Sequence, residues 1–380
     1  MNRQVMVVAG EASGDLHGAN LVRAMQRQAG DLRFCGMGGD ELAACGVEIL
    51  CDAAKVAVVG ITEVIAHLGD ILQCRRILVD RLKSHPPDLL IVIDLPDFNL
   101  PLAKKAKQLG IPVFYYITPQ VWAWRSGRVK TIGKRTDTIG VILPFEEDFF
   151  RQRGVEAHYV GHPLLDSVAV RTPSGQFCRE HGIDASTRRV CLLPGSRRSE
   201  IGYLLPAFID AARLLQKTCG EDMVFLLPLA STLSRKDLDD SGLSAAADVD
   251  IRVIEGQRYE VMAACDAAIA ASGTVTLELA LLGIPTVVCY RLAPLTYRLG
   301  RMLVKLPHFS LVNLIAGATV IPELLQDQVS AGNICRHVQL MLDDAGCRQD
   351  ILRGLEKVRQ RLGGPGASER AARLALTMLR

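Results

Sequence analysis

The chain has 380 residues, of which 49% are hydrophobic, and its formal net charge is +3. This length fits two domains better than one, and the apolar content is enough for two cores, so the composition excludes a globally disordered chain. The small basic excess does not by itself indicate a nucleic-acid binder, and we expect no nucleic-acid partner.

The eleven cysteines stand at irregular spacings, and none of them forms a CxxC pair. Their odd number and mostly apolar surroundings favour reduced, buried thiols over a disulfide framework or a zinc site. The N-terminus shows no signal-peptide pattern, and no run reaches the roughly 18 apolar residues of a membrane-spanning helix. We therefore expect a cytoplasmic protein that can still touch a membrane surface.

Short apolar runs bounded by turn residues alternate with helical patterns along the chain. The runs predict buried parallel strands at residues 5–9, 89–94, 112–117, 138–143, 190–195, 223–230, 251–256, 267–271 and 286–290. Helices are predicted at Leu16–Gln28, Asn99–Leu109, Leu204–Gln216 and Thr274–Leu282. This alternation is typical of a doubly wound α/β architecture.

The alternation occurs twice, which predicts two Rossmann-like domains facing a central cleft. The first domain is expected at residues 1–170 and the second at residues 171–355. The polar segment 171–189 between the two series carries no strand pattern and is interpreted as a linker or edge segment. Ligands of such sheets bind at the carboxyl ends of the strands, and the candidate motifs below all lie there.

The first candidate site is the turn GEASGD after the first predicted strand. Gly10 and Gly14 allow a tight turn and the close approach of a ligand, and either Ser13 or Asp15 is predicted to cap the following helix. Free N–H groups at a helix start favour an anionic or hydroxyl-rich partner, so Ser13 and Gly14 are candidate substrate contacts. An ordinary capped turn is the alternative.

The second candidate site is the segment IDLPDFN, which carries two carboxylates at the end of a predicted strand. Asp94 ends the strand and Asp97 follows Pro96, which is expected to hold the loop open. Either carboxylate could be a general base, and either could cap the next helix. We predict Asp97 as the base and Asp94 as a structural residue that also contacts substrate.

Both tryptophans of the chain, Trp122 and Trp124, lie in a predicted loop with Arg125, Arg128 and Lys130. Aromatic rings beside cations can stack on a sugar or clamp a phosphate. Core packing is the alternative for one of the two rings, and we predict Trp124 as the substrate contact.

A similar turn, LPGSRR, follows a strand of the second half. Gly195 and Ser196 make the turn, and Arg197 and Arg198 stand where a helix begins. Backbone N–H groups, a hydroxyl and a guanidinium together predict a phosphate site. Arg197 is the preferred guanidinium, and a surface arginine pair is the alternative.

A second phosphate turn is predicted at Ser272, Gly273 and Thr274, where a helix follows a strand directly. Glu278 lies one turn into that helix, where its carboxylate could accept hydrogen bonds from ribose hydroxyls. The two turns together predict a nucleoside-diphosphate site in the second half. Neither half has GxGxxG with an acidic residue about 20 positions on, so a dinucleotide oxidoreductase is the weakest candidate.

These turns in this order resemble the lipid-A-disaccharide synthase family from about residue 5 to about residue 325. The segments QVWAWR and PDFN are the most specific parts of the resemblance. The matching stretches are AGEASGD at 9–15, GITEV at 60–64, DLPDFN at 94–99, QVWAWR at 120–125, LPFE at 143–146, VGHPLLD at 160–166, LPGSR at 193–197, ASGT at 271–274 with Glu278, YR at 290–291 and LVNLIAG at 311–317.

The resemblance implies a GT-B fold and an inverting glycosyl transfer that uses no metal or other cofactor. The implied donor is UDP-2,3-diacylglucosamine, the acceptor is 2,3-diacylglucosamine 1-phosphate, and the product is the β(1→6)-linked disaccharide 1-phosphate of lipid A biosynthesis. By resemblance only, Asn313 is expected to hold substrate. By analogy with GT-B enzymes, a last helix at residues 356–380 is expected to join the first domain.

The implied substrates carry acyl chains, so we expect peripheral contact with the anionic cytosolic face of a Gram-negative inner membrane. The basic apolar stretches 56–83 and 290–309 fit such contact, with Arg298, Arg301 and Lys305 at helical spacing in the second. A core-facing helix with a solvated basic edge is the alternative.

Two other functions remain open from the sequence. One is another GT-B enzyme that uses UDP-N-acetylglucosamine or a similar UDP-sugar, such as an N-acetylglucosaminyl transferase or a UDP-sugar 2-epimerase. The other is a non-catalytic nucleotide-sugar binding protein. A homodimer is also left open.

Overall fold

The computed structural model describes residues 3–56, 68–220, 222–293, 297 and 306–379. The chain divides into two compact units, Met1–Asp166 with Gly364–Arg380, and Ser167–Gly363. The division from the sequence put these boundaries at residues 170 and 356. The second one differs because Ala345–Leu362 is a single helix of the second unit.

The described strands of the first unit form one sheet in which every pair is parallel. The strands are β1 (Arg3–Val8), β2 (Leu32–Gly38), β3 (Glu48–Asp52), β4 (Leu89–Ile93), β5 (Val113–Tyr116), β6 (Thr138–Val141) and β7 (His158–Tyr159). Their order in the sheet is β3-β2-β1-β4-β5-β6-β7.

A second parallel sheet is formed by the strands described in the second unit. These are β8 (Arg188–Leu193), β9 (Met223–Pro228), β10 (Ile251–Ile254), β11 (Ala267–Ala271), β12 (Thr286–Tyr290) and β13 (Glu323–Leu325). Their order is β10-β9-β8-β11-β12-β13.

Helices connect the strands in both units. Those described in the first unit are Ala12–Gln28, Asp40–Ala44, Leu68–Ser84, Pro96–Gln108, Val121–Trp124, Val129–Arg135, Glu146–Arg151 and Ala367–Thr377, and Leu164–Ser167 ends at the unit boundary. Those described in the second unit are Ser174–Glu180, Arg198–Cys219, Arg235–Asp240, Arg258–Ala263, Val275–Leu281, Leu311–Ala316, Ala331–Asp343 and Ala345–Leu362.

Both faces of the first sheet are buried, which explains why its central strands are continuous apolar runs. Along β1, Val5 and Val7 point into one core, whereas Met6 and Val8 point into the other. The helix Ala367–Thr377 packs in the core of Val5 and Val7, and its start is fixed by Asp166, which accepts the N–H of Gly366 at 2.5 Å. The C-terminal segment is therefore an integral part of the first unit.

Several local expectations were wrong. The pattern of apolar runs did not predict the strands β2, β3, β7 and β13. Residues 171–189, interpreted as a linker or edge segment, contain the helix Ser174–Glu180. The cysteines are not all free, because Cys51 at the end of β3 and Cys74 in the next described helix form a disulfide with Cα atoms 5.7 Å apart.

The candidate membrane residues Arg298, Arg301 and Lys305 lie outside the described residues, and so does the GITEV stretch at 60–64. Within the ranges that the structure describes, no helix is both long and apolar enough to cross a membrane.

Candidate functional site

Each sheet has one switch point, where the chain stops adding strands on one side of its first strand and continues on the other side. In the first sheet the chain runs outward from β1 to β3 and resumes at β4 on the other side of β1. In the second sheet it does the same between β8 and β11. Ligands of open parallel sheets bind at the carboxyl ends of the strands that flank such a point. The predicted turns at 9–15 and 94–97 flank the first switch point, and those at 194–197 and 272–274 flank the second.

The first two turns are in direct contact. A Cβ atom added to Gly10 would collide with the end of the Leu95 side chain, which shows how closely the turns after β1 and β4 approach each other. Gly14 is buried, and a Cβ there would meet the Cβ of Ala9 at 3.6 Å. The structure therefore brings the GEASGD and DLPD segments together at one edge.

The capping prediction for the first helix was wrong. The helix begins at Ala12 after Glu11, which makes no side-chain cap, and Ser13 is exposed within its first turn. Asp15 is buried and instead accepts three backbone N–H groups, at 2.7, 3.0 and 3.3 Å, around the start of the helix Asp40–Ala44. Asp15 thus fixes the segment after β2, and Ser13 remains accessible.

The turn after β4 has a strained backbone. Asp94 and Leu95 adopt φ values of 46° and 44°, a region that costs non-glycine residues roughly 1–3 kcal/mol. The buried Asn99 amide donates to the carbonyls of Ile93 and Asp94 at 3.0 and 2.8 Å. The Tyr115 hydroxyl donates to the Asp94 carbonyl at 2.7 Å. These three hydrogen bonds hold the strained turn in place.

The two aspartates of this turn have different surroundings. Burial, together with the charge of Glu11, raises the pKa of Asp94 to about 6. Asp97 lies in the first turn of the helix Pro96–Gln108 and not in a loop, because Pro96 starts this helix instead of delaying it. The Asp97 side chain is 79% exposed, and its Oδ1 atom accepts a hydrogen bond from Arg128 at 2.6 Å. Asp97 is therefore accessible and oriented by a cation.

The two tryptophans have different roles in the short helix Val121–Trp124, which replaces the predicted loop. The Trp122 indole N–H donates to Glu146 Oε1 at 3.0 Å. Trp124 is 49% exposed, and the Arg125 guanidinium lies 3.9 Å from the centroid of its ring. Trp122 is thus held within the protein and Trp124 is open to a ligand.

In the second unit, the turn after β8 carries an unpredicted carboxylate. Gly195 has φ +121°, and a Cβ atom there would collide with Glu200. The Ser196 N–H donates to Glu200 Oε2 at 3.0 Å, and Arg197 Nη1 lies 3.8 Å from Glu200 Oε1. Glu200 was not predicted as part of the site, because a glutamate in the first turn of a helix is common and does not by itself indicate a contact with the preceding turn.

The arginine pair at this turn separates into two environments. Arg198 Nε lies 2.8 Å from Asp237 Oδ1, although 83% of the Arg198 side chain is exposed. Arg197 lies next to the turn, with a longer contact of 3.8 Å to Glu200 and 63% of its side chain exposed. Arg197 precedes the helix Arg198–Cys219. The geometry thus favours Arg197 over Arg198 as the guanidinium available to a phosphate.

The turn after β11 lies beside the turn after β8, because β8 and β11 are neighbours in the sheet. Space is open around Gly273, where an added Cβ would meet no atom within 4 Å. Ser272 donates its backbone N–H to the Cys289 carbonyl at 2.9 Å, and Thr274 directly precedes the helix Val275–Leu281. This edge can therefore admit a ligand at the second switch point.

Glu278 is buried and already has a partner. It forms an ion pair with Arg258, and burial raises its pKa while Arg258 opposes the shift. This pair could not be predicted from the local pattern, because Arg258 and Glu278 lie on different helices. A ribose hydroxyl would have to share or displace the Arg258 guanidinium to reach this carboxylate.

Asn313 is completely buried and saturated with hydrogen bonds. Its amide donates to the Ile321 carbonyl and to Glu323 Oε1, both at 2.9 Å. Its side-chain oxygen accepts the N–H groups of Val320 and Ile321 at 2.8 and 3.1 Å. This geometry favours a structural role for Asn313 over the direct substrate contact that the resemblance implied.

Comparison with known proteins places the chain in one family. Residues 5–376 match the family described as lipid-A-disaccharide synthetase. The lipid-A-disaccharide synthase of Geobacter sulfurreducens is 46% identical over 378 residues, which cover 100% of this chain and 98% of that protein. The lipid-A-disaccharide synthase of Syntrophus aciditrophicus is 47% identical over 379 residues, with the same two coverages.

Solved structures support the GT-B prediction at low sequence identity. The UDP-GlcNAc 2-epimerase of Neisseria meningitidis, described as bound to UDP-GlcNAc, has a TM-score of 0.66 at 14% identity and covers 98% of this chain and 100% of its own. The calicheamicin glycosyltransferase CalG4 has a TM-score of 0.63 at 15% identity, with coverages of 99% and 98%.

These structural neighbours include an epimerase and a glycosyltransferase, so they show the fold alone. The full-length relatives decide between the functions and do not favour the epimerase or the non-catalytic alternative. The chain therefore belongs to the lipid-A-disaccharide synthase family and is a glycosyltransferase of lipid A biosynthesis.

Proposed function

We propose that this chain transfers 2,3-diacylglucosamine from UDP to the 6-hydroxyl group of 2,3-diacylglucosamine 1-phosphate, with inversion and without a metal ion. The products are the β(1→6)-linked disaccharide 1-phosphate and UDP. The observation that supports the proposal is the pair of polar turns at the switch point of each sheet. One pair carries two aspartates, and the other carries a guanidinium and hydroxyl groups at the starts of helices.

The proposed donor site lies in the second unit. Arg197, with the turn residues Gly195 and Ser196, would bind the diphosphate next to the start of a 22-residue helix. Ser272, Gly273 and Thr274 would bind it from the neighbouring turn. When the bond between the anomeric carbon and the phosphate oxygen breaks, the new negative charge falls on these donors. Glu278 would contact the ribose next to Arg258.

The proposed acceptor site lies in the first unit. Asp97 would take the proton of the 6-hydroxyl group as its oxygen attacks the anomeric carbon. The ion pair with Arg128 supports this role, because it orients a carboxylate that is otherwise open to solvent. Ser13, Gly14, Asp94 and Trp124 would bind the acceptor around that carboxylate. Asp94 is the alternative base, since its pKa lies closer to neutral.

We also propose that the chain works at the anionic cytosolic face of the inner membrane, because both substrates carry acyl chains. Arg298, Arg301 and Lys305 are the proposed contacts. Cosedimentation with anionic vesicles should exceed that with neutral vesicles, and it should fall when the three residues are replaced together by Gln. Equal sedimentation with both kinds of vesicle would contradict the electrostatic contact.

The donor site can be tested by calorimetric titration of UDP. A charged hydrogen bond contributes about 1.5–3 kcal/mol, so Arg197→Ala should weaken binding roughly 10- to 100-fold. Arg198→Ala is the matched control, because its guanidinium is paired with Asp237, and it should change the affinity by less than about threefold. The opposite ranking of the two variants would overturn the assignment.

The reaction can be tested with the two acylated substrates in detergent micelles containing a chelator. Mass spectrometry should detect the disaccharide 1-phosphate in proportion to the UDP released. UDP release without the acylated acceptor, or no disaccharide from the native chain, would contradict the proposed function.

A further inference from the structure

Glu146 is a buried carboxylate at the same edge of the first sheet as the proposed acceptor site. It is 2% exposed and is the first residue of the helix Glu146–Arg151, shortly after β6. It ends the LPFE stretch of the sequence, to which the proposed reaction gives no role.

Three N–H groups converge on this carboxylate. Oε1 accepts the Trp122 indole N–H at 3.0 Å. Oε2 accepts the backbone N–H groups of Leu143 and Ile142 at 2.9 and 3.2 Å. An ionised carboxylate only accepts hydrogen bonds, whereas a carboxylic acid or a glutamine amide also presents N–H or O–H donors. The ionised form accepts from all three groups, whereas the acid or the amide places a donor among these donors and weakens at least one of the three hydrogen bonds.

Through Trp122, this carboxylate holds the turn that carries Trp124 and Arg125. The Trp122 ring packs edge-on against Phe145, with ring centroids 5.1 Å apart, so both its polar and its apolar parts are fixed. Trp122 and Trp124 belong to the same four-residue helix. Loss of the Trp122 anchor therefore frees the ring that is exposed to ligands.

We propose that Glu146 is a positioning residue whose ionised carboxylate anchors Trp122 and thereby presents Trp124 and Arg125 to the sugar substrate. Protonation of Glu146 weakens at least one of the three hydrogen bonds and thereby loosens the segment that carries Trp124. The link to catalysis rests on the proposed function of Trp124, but the anchoring of Trp122 does not.

The pKa of Glu146 lies near neutral pH. Burial raises its pKa to about 7, while the hydrogen bonds from Leu143, Trp122 and Ile142 oppose the shift. Tyr159 also faces Glu146 and has a pKa raised to about 12, mainly by burial and in part by the Glu146 charge, and the Arg370 charge opposes that shift. Tyr159 is therefore neutral across the range in which Glu146 changes its charge.

The chain offers a direct reporter, because Trp122 and Trp124 are its only tryptophans. The Trp124→Phe variant leaves Trp122 as the sole indole, and its fluorescence emission can be followed from about pH 5 to about pH 9. The proposal predicts a transition centred near pH 7 that is absent from the Trp124→Phe, Glu146→Gln double variant. No transition, or the same transition in both proteins, would overturn it.

Activity measurements then separate positioning from a loss of folding. In the otherwise native chain, Glu146→Gln and Trp122→Phe should each lower kcat/KM for the acceptor roughly tenfold, the effect of about one lost hydrogen bond. Their UDP affinity and circular dichroism should stay unchanged. Asp137→Asn is the matched control, because Asp137 accepts the Val113 N–H at 2.9 Å at the opposite edge of the sheet.

The control variant should retain the native kcat/KM. Unchanged activity in folded Glu146→Gln and Trp122→Phe proteins would refute the positioning role. If the native chain forms no disaccharide, the proposed function fails, while the fluorescence titration still decides whether Glu146 anchors Trp122.

Discussion

The Asn99→Ala substitution tests whether the strained turn after β4 is held by the Asn99 side chain. Asn99 is completely buried, and its amide donates to the carbonyls of Ile93 and Asp94. Alanine removes both hydrogen bonds without adding bulk. The Asp94 carbonyl keeps the bond from the Tyr115 hydroxyl, but the Ile93 carbonyl loses its bond from the Asn99 amide.

The expected loss of stability follows from these contacts. Each hydrogen bond contributes about 1 kcal/mol, and a buried carbonyl left without a partner costs about 1–3 kcal/mol, so the free energy of unfolding should fall by about 2–4 kcal/mol. For a unit of this size, the midpoint of thermal unfolding should fall by roughly 5–15 °C. Once released, the Asp94–Leu95 backbone can relax from its strained conformation and move Asp97.

Two assays measure these effects, namely thermal unfolding by calorimetry and disaccharide formation at a temperature where the variant is folded. The rate of product formation should fall at least roughly tenfold, because the proposed base loses its fixed position. Asn333→Ala is the control, since Asn333 donates one hydrogen bond to the Gln328 carbonyl in the other unit. Native activity in a folded Asn99→Ala protein would refute the idea that this turn positions the base.

Two further predictions concern single turn residues. Gly195→Ala should destabilise the second unit by more than about 1 kcal/mol and weaken UDP binding, because Gly195 has φ +121° and an added Cβ meets Glu200. Gly202→Ala is the control, because Gly202 lies inside the helix Arg198–Cys219 and an added Cβ would meet no atom within 4 Å, so this variant should be neutral or more stable. Equal losses of stability for the two variants in denaturant unfolding would contradict the prediction. The second prediction concerns Asp94, whose pKa is raised to about 6 in the folded protein. Between about pH 4 and 6 the native state therefore binds more protons than the unfolded state. The free energy of unfolding should fall by up to about 3 kcal/mol as the pH rises through that window. Asp94→Asn should remove this fall in urea unfolding at about pH 4.5 and 7.5, and an unchanged pH dependence would contradict the burial cost.

The central strands were predictable because both of their faces are buried. Continuous apolar runs mark β1, β4, β8 and β11, and the polar turns that follow them could be located from the same pattern. Strand β2 was missed because glycine interrupts its apolar run. Gly36 is needed there because the carbonyl of Val7 on the neighbouring strand occupies the position of a Cβ atom, a contact that no local pattern reveals.

The partners of the polar side chains could not be predicted, because they come from other elements of the fold. Asp15 resembles a cap for its own helix but accepts N–H groups around residues 39–42. Glu146 looks like an ordinary first-turn residue until Trp122 is seen to donate to it. The residue types at the switch points were therefore foreseeable, whereas the contacts that fix their geometry required the tertiary structure.

The most direct test of the account compares the native chain with Asp97→Ala in the micelle assay, with chelator present and mass spectrometry of the disaccharide. We predict product from the native chain and a fall of at least about 10²-fold in the variant, whose UDP affinity stays native. Product in similar amounts from both proteins would contradict the assignment of Asp97 as the base and would leave Asp94 as the carboxylate to test.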